Sequence, residues 1–76
     1  MMELKSIKEL LVDNRVESIK LCKYVIDSRH IKCFIDLIFN GQQRQDDITE
    51  EIYEGFQVME KKEEVTGGYT YTKVIK

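Results

Sequence analysis

Residues 31–39 read Ile-Lys-Cys-Phe-Ile-Asp-Leu-Ile-Phe, and seven of these nine residues are apolar. So dense an apolar segment marks the centre of the core. Its pattern fits two structures, because positions 31, 34, 35, 38 and 39 share one face of a helix and positions 31, 33, 35, 37 and 39 share one face of a strand. Asp36 disfavours a strand and Asn40-Gly41 makes a good helix stop, so we predict a helix.

The residues that precede this segment also carry helical signals. Ser6-x-x-Glu9 has the form of a capping box among apolar residues at helical spacing, which predicts a first helix ending near Asp13-Asn14. Asn14-x-x-Glu17 can cap a second helix, with one apolar stripe formed by Val16, Ile19, Cys22 and Ile26. A single helix over residues 4–28 stays open, because Asp and Asn weaken a helix without forbidding it.

The segment after residue 40 begins with polar residues. We interpret 41–45 as a loop, and Asp47-x-x-Glu50 as the cap of a short acidic helix that Gly55 can end. The tail is β-branched and aromatic, and Gly67-Gly68 is a turn signal, so residues 56–75 are predicted to form a β-hairpin.

The register of this hairpin depends on its turn. A three-residue loop of 67–69 pairs Val65 with Tyr71 and Glu63 with Lys73, whereas a two-residue turn would set Lys62 opposite Lys73. Cross-strand pairs favour the three-residue loop by about 1 kcal/mol. The alternative for residues 56–64 is a continued helix, which would leave strand 69–75 to pair across a dimer.

These elements predict an α+β fold in which three or four short N-terminal helices precede a C-terminal β-hairpin. We assign residues 1–76 to one small domain, helical over 3–54 and a hairpin over 56–75. A chain of this size buries only roughly 60% of its unfolded surface, so its core is thin.

Composition suggests the setting in which the protein works. The chain has no Pro, Trp or Ala but nine Ile and nine Lys, which is typical of an AT-rich genome such as that of a low-GC bacterium or one of its viruses. No signal-like or membrane-spanning apolar stretch is visible, so we expect a cytoplasmic protein with reduced Cys22 and Cys33.

The residues available for chemistry argue against an enzyme. His30 is the only histidine and Cys33 lies three residues on, so a dyad would require both on one helix face. Cys22, His30 and Cys33 offer half of the paired spacing that structural zinc prefers, and no glycine-rich phosphate loop precedes a helix. We therefore predict no catalytic residues, no metal and no cofactor.

The second half of the chain carries the candidate partner-binding residues. Residues 1–44 hold eight bases and six acids, whereas residues 45–76 hold four bases and eight acids. Carboxylates three and four apart on a helix lie ~5–6 Å from each other and can imitate spaced phosphates. The tyrosines of the tail add residues that are enriched at interfaces. The predicted partner-binding residues are Asp46, Asp47, Glu50, Glu51, Glu54, Tyr69 and Tyr71.

The function predicted from these features is that of a small non-enzymatic interaction or inhibitor protein, encoded by a phage or mobile element. It would block a basic, nucleic-acid-handling surface of a larger protein. The alternative is a winged helix-turn-helix regulator that binds DNA, although Glu50, Glu51 and Glu54 would then repel phosphates. We also expect a homodimer, because the core is thin and the last strand could be a free edge.

Overall fold

A computed structural model describes residues 1–76 as two short helices and five strands. The elements in chain order are α1 (Leu4–Leu11), β1 (Val16–Asp27), β2 (His30–Phe39), β3 (Gln42–Asp47), α2 (Glu50–Gly55), β4 (Glu60–Val65) and β5 (Gly68–Val74). All five strands belong to one antiparallel sheet, in the order β3-β2-β1-β5-β4. Neither helix is long and apolar enough to cross a membrane.

Both helices pack on the same face of the sheet, which we call the helix-covered face. Tyr53 of α2 and Ile7 of α1 are fully buried and join a cluster with side chains of β1 and β2. The cluster comprises Ile7, Val16, Ile19, Leu21, Cys33, Ile35, Leu37, Ile48 and Tyr53. The core is therefore a single layer between the sheet and the two helices.

The predicted fold of three or four N-terminal helices followed by a hairpin is wrong. Residues 16–39, predicted as helices, form the long β1–β2 hairpin, and only residues 4–11 and 50–55 of the predicted helical region 3–54 are helical. The burial pattern agrees with strands and not with helices, since every second side chain, at Ile19, Leu21, Ile35 and Leu37, points into the core. Asp36, which argued against a strand, lies on the opposite face and accepts hydrogen bonds from the Gln43 amide at 3.0 and 3.1 Å.

The dipeptide Asn40-Gly41 forms a hairpin turn and does not end a helix. Both residues lie in the left-handed region, with φ of 53° and 79°. Two successive left-handed residues give a two-residue turn whose twist matches that of the flanking strands, which is why Asn-Gly is a strong hairpin signal. This turn brings 42–47, predicted as part of a polar loop and the start of a helix, onto β2 as the all-polar edge strand β3.

The C-terminal hairpin turns at Thr66-Gly67, so neither register considered from the sequence occurs. Glu60 pairs with Lys73 and Lys62 with Tyr71. A Cβ on Gly68 would lie 2.2 Å from the Val25 carbonyl oxygen, so only glycine fits where β5 meets β1.

The last strand is not a free edge, because β5 pairs with β1 on one side and β4 on the other. The two edges are β3 and β4, which are polar or charged at almost every position. Charged edges discourage strand addition. The free-edge argument for a dimer is therefore wrong.

The helix caps also differ from the predicted ones. α1 begins at Leu4, before the Ser6 of the supposed capping box, and has no side-chain cap. In α2 the cap is Thr49, whose Oγ1 accepts a hydrogen bond from the Ile52 amide at 3.1 Å, two residues after the predicted Asp47.

Two lysines at the end of the chain tie both helices to the sheet. Lys73 Nζ donates to the carbonyl oxygens of Tyr53 (2.9 Å) and Phe56 (2.8 Å) at the C-terminus of α2. Lys76 Nζ donates to the carbonyl oxygen of Asp13 at 2.7 Å, just after α1. A cation at a helix C-terminus satisfies free carbonyls and suits the negative end of the helix dipole.

Candidate partner-binding surface

The five predicted acidic residues lie on two elements. Asp46 and Asp47 end the edge strand β3, whereas Glu50, Glu51 and Glu54 lie on α2. All five are exposed. We call this set, Asp46 to Glu54, the acidic ridge.

One end of the acidic ridge is neutralised by a lysine of the sheet. Lys23, on the helix-covered face of β1, donates from Nζ to Glu54 Oε1 at 2.5 Å. This hydrogen bond lowers the pKa of Glu54. Partial burial lowers the pKa of Lys23, but the bond to Glu54 and the nearby charges of Glu60 and Glu50 outweigh it, so the pKa is raised. Lys23 therefore stays charged and holds α2 against β1.

The other carboxylates of the ridge have weak local partners or none. Asp46 Oδ1 accepts a hydrogen bond from the Asp47 amide at 2.8 Å and lies 3.6 Å from the α-amino group of Met1. Asp47, Glu50 and Glu51 make no ion pair. Glu50 and Glu51 occupy the first turn of α2, where the helix dipole favours negative charge.

Tyrosine and lysine side chains alternate across the sheet beside α2. Lys23 Nζ lies 4.9 Å from the centre of the Tyr71 ring, and Lys62 Nζ lies 5.6 Å from the same ring and 4.4 Å from that of Tyr69. Each distance suits a cation–π contact. We call Lys23, Tyr71, Lys62 and Tyr69 the tyrosine–lysine row.

The row borders a buried tyrosine that fixes α2. Tyr53 Oη donates to Glu60 Oε2 at 2.8 Å, and its ring lies 4.3 Å from Lys73 Nζ and 5.1 Å from Lys23 Nζ. Burial, followed by the hydrogen bond to Glu60, raises the pKa of Tyr53. The phenol thus stays protonated and acts as a structural link between α2 and the start of β4.

The structure joins only part of the predicted site. Glu54 contacts Lys23, which contacts Tyr71, so this end of the ridge is continuous with the tyrosine–lysine row. Asp46 and Asp47 lie on β3, at the edge of the sheet farthest from β4. Lys23 and Lys62 were not predicted from the sequence, because their position beside Tyr71 depends on the pairing of β1 and β4 with β5. The period-two alternation of the tail could have placed only Lys73 on the same face as Tyr69 and Tyr71.

The residues considered for chemistry do not converge. Cys33 is 6% exposed and faces the helices, whereas Cys22 pairs with Phe34 and faces the other side of the sheet. His30 lies at the β1–β2 turn, with Nδ1 2.9 Å from both carboxylate oxygens of Asp27. Burial raises the pKa of both thiols, which disfavours the reactive thiolate form.

Comparisons of the chain with protein-family models, with curated proteins and with solved structures found no match. The class that fold and surface define is an open-faced antiparallel sheet with two short helices on one side and an acidic ridge beside a tyrosine–lysine row. A helix-turn-helix motif requires two helices joined by a short turn, and here three strands separate α1 from α2.

Proposed function

We propose that this protein is a non-enzymatic binding protein that covers a basic surface of a larger protein through its acidic ridge. The observation that carries the proposal is the set of exposed carboxylates that the fold leaves without a cation. Asp47, Glu50 and Glu51 follow one another within five residues and make no ion pair. Unpaired charge of one sign steers an oppositely charged partner and selects against partners of the same sign.

The rigidity of the ridge supports the same function. Thr49 caps the N-terminus of α2 and Lys73 binds carbonyl oxygens at its C-terminus. The side chain of Tyr53, from the middle of α2, is fully buried in the core. Glu50 and Glu51 therefore project from a short helix held at both ends, and little backbone conformational entropy is lost when a partner binds. The neighbouring Tyr69, 41% exposed, adds an amphipathic contact at the margin.

The chemistry of the ridge favours a partner that itself binds nucleic acid. A surface that receives phosphates is lined with Lys and Arg, and closely spaced carboxylates satisfy the same cations. We therefore expect a phage or mobile-element inhibitor that competes with nucleic acid for a host factor. It would act at a fixed stoichiometry and inside the cell.

The experiment compares two charge-reversal variants. Glu50→Lys/Glu51→Lys changes the unpaired part of the ridge and leaves the Glu54–Lys23 pair intact. Glu63→Lys/Glu64→Lys makes the same change in charge on the edge strand β4 and serves as the matched control. A partner captured from the native host is purified, and its affinity for each variant is measured by calorimetry at two salt concentrations.

The ridge variant is expected to lose at least 100-fold in affinity, the control less than threefold, and duplex DNA should compete with the unmodified protein for the partner. Equal losses in the two variants would contradict the proposal. So would direct, salt-sensitive binding of duplex DNA to the unmodified chain, since that requires a Lys/Arg density absent from the ridge.

A further inference from the structure

A small cleft opens on the helix-covered face of the sheet, between α1 and the edge strand β3. Most of its lining consists of apolar side chains at the margin of the core, with charged residues of β3 at the rim. The lining residues are Met2, Leu10, Leu37, Phe39, Arg44, Gln45 and Asp46. The volume of the cleft is about 270 Å³, just below the range of pockets for drug-sized molecules, so it suits a single apolar side chain of a ligand. We call it the edge cleft.

Arg44, at the rim of the edge cleft, is a cation held in place without an anionic partner. Its Cζ lies 4.7 Å from the centre of the Phe39 ring, a cation–π contact. Its N–H groups make no hydrogen bond or ion pair within the chain. Arg15 contacts the same ring at 4.9 Å, but it donates to Asp13 from Nε at 3.0 Å and from Nη2 at 2.7 Å. The donor fork of Arg44 is therefore free, and its geometry matches the two oxygens of a carboxylate.

The acid nearest to Arg44 along β3 is already engaged elsewhere. Asp46 lies two residues on and on the same face of the strand, yet no ion pair joins it to Arg44. Its Oδ1 accepts a hydrogen bond from the Asp47 amide at 2.8 Å and lies 3.6 Å from the α-amino group of Met1. A ligand with an ammonium group would have to compete for this carboxylate. The edge cleft thus favours an apolar ligand that carries a carboxylate and no ammonium group beside it.

The backbone of β3 offers a further contact next to the edge cleft. The Ile48 amide donates to the Cys33 carbonyl oxygen of β2 at 3.2 Å, so the alternation of an antiparallel ladder turns the N–H and C=O groups of Gln45 away from the sheet. The next outward carbonyl, that of Asp47, already accepts a hydrogen bond from the Met2 amide at 2.8 Å. One residue of an extended ligand can pair with Gln45 in the same way, although the polar edge discourages a whole added strand.

We propose that the edge cleft binds the C-terminus of a polypeptide whose last residue is apolar. The terminal carboxylate accepts two hydrogen bonds from the fork of Arg44, the last side chain fills the apolar cleft, and the backbone before it pairs with Gln45. A free amino acid carries the same carboxylate but also an ammonium group, and it has no preceding backbone. This inference does not depend on the proposed function, because Glu50 and Glu51 lie on α2 and only Asp46 borders both surfaces.

The test titrates acetylated tripeptides into ¹⁵N-labelled protein and follows the amide chemical shifts. Acetyl-Gly-Gly-Leu with a free carboxylate should bind with a submillimolar dissociation constant and shift the amides of residues 44–46. The same peptide with a C-terminal amide should bind at least tenfold more weakly, because it loses hydrogen bonds between charged groups. A free-acid peptide that ends in glycine should bind at least fivefold more weakly, because it leaves the cleft empty. Free leucine should also bind at least fivefold more weakly than the leucine tripeptide.

Two substitutions of Arg44 and one control locate the site. Arg44→Met keeps an apolar stem beside Phe39 and should lower the affinity for the free-acid leucine peptide at least tenfold, whereas Arg44→Lys keeps the charge without the fork and should recover only part of it. Arg29→Met removes another exposed arginine, at the β1–β2 turn, and should change the affinity less than twofold. No binding of the leucine peptide at millimolar concentration, equal affinity for its acid and amide forms, free leucine as tight as the tripeptide, or an unchanged affinity of Arg44→Met would each overturn the proposal.

Discussion

Replacing Lys73 with methionine tests how the last strand holds α2. Methionine keeps most of the length of the side chain and removes its charge. The ammonium is buried, with 6% of the residue exposed, and donates to the carbonyl oxygens of Tyr53 and Phe56. An unsatisfied buried acceptor costs about 1–3 kcal/mol, and loss of a partly buried cation at a helix C-terminus costs up to ~2 kcal/mol. Relief of the desolvation of the ammonium offsets part of this, so we expect a net loss of about 2–4 kcal/mol.

That loss is a large share of the stability of a domain of this size, which is about 4–11 kcal/mol. Urea unfolding followed by circular dichroism at one protein concentration measures it, with Lys61→Met as the control. Lys61 lies on the same hairpin, its side chain is 75% exposed and its only ion pair is with Glu63, so its loss should change stability by less than about 0.5 kcal/mol. If Lys73→Met were no more destabilising than Lys61→Met, the anchoring of α2 by Lys73 would be refuted.

Two further predictions concern the sheet and pH. Gly68→Ala should destabilise by about 1–3 kcal/mol, because the new Cβ would meet the Val25 carbonyl oxygen at 2.2 Å; Gly55→Ala, with no atom within 4 Å, is the control and should be neutral or slightly stabilising. Because the pKa of Tyr53 is raised in the folded protein, the unfolded chain loses this proton at a lower pH. The contribution of Tyr53 to stability should therefore be constant below its ordinary pKa of 10 and fall as pH rises above it. Urea midpoints measured between pH 8 and 11 should fall more steeply than those of Tyr53→Phe; parallel slopes would show that Tyr53 does not contribute.

The sequence carries both candidate patterns for the central segment, and local signals do not decide between them. Residues 31–39 fit helix and strand equally, and what selects the strand is the pairing with β1, whose partner residues run from Val25, opposite Ile31, back to Val16, opposite Phe39. Asn40-Gly41 was the available signal, because two left-handed residues make a hairpin turn more readily than a helix end. Once that turn is assigned, residues 16–39 show the same alternation of buried and more exposed side chains in both β1 and β2.

Other features depend on tertiary contacts alone. β3 contains only Gln, Arg and Asp, and it becomes a strand because the turn delivers it to the free edge of β2. The exposure of the acidic residues could be predicted from their charge. The pairing of Glu54 with Lys23, 31 residues apart, could not, since it requires the path of α2 across the sheet.

Hydrogen–deuterium exchange of the protein with and without its captured partner tests the central claim most directly. The amides of Glu50 and Glu51 begin α2, where they have no intrahelical acceptor and should exchange quickly in the free protein. If the acidic ridge is the binding surface, the partner should slow exchange over residues 46–54 at least tenfold and leave the β4 edge, 60–65, unchanged. Protection confined to β4, or no change over 46–54 at saturating partner, would contradict the account.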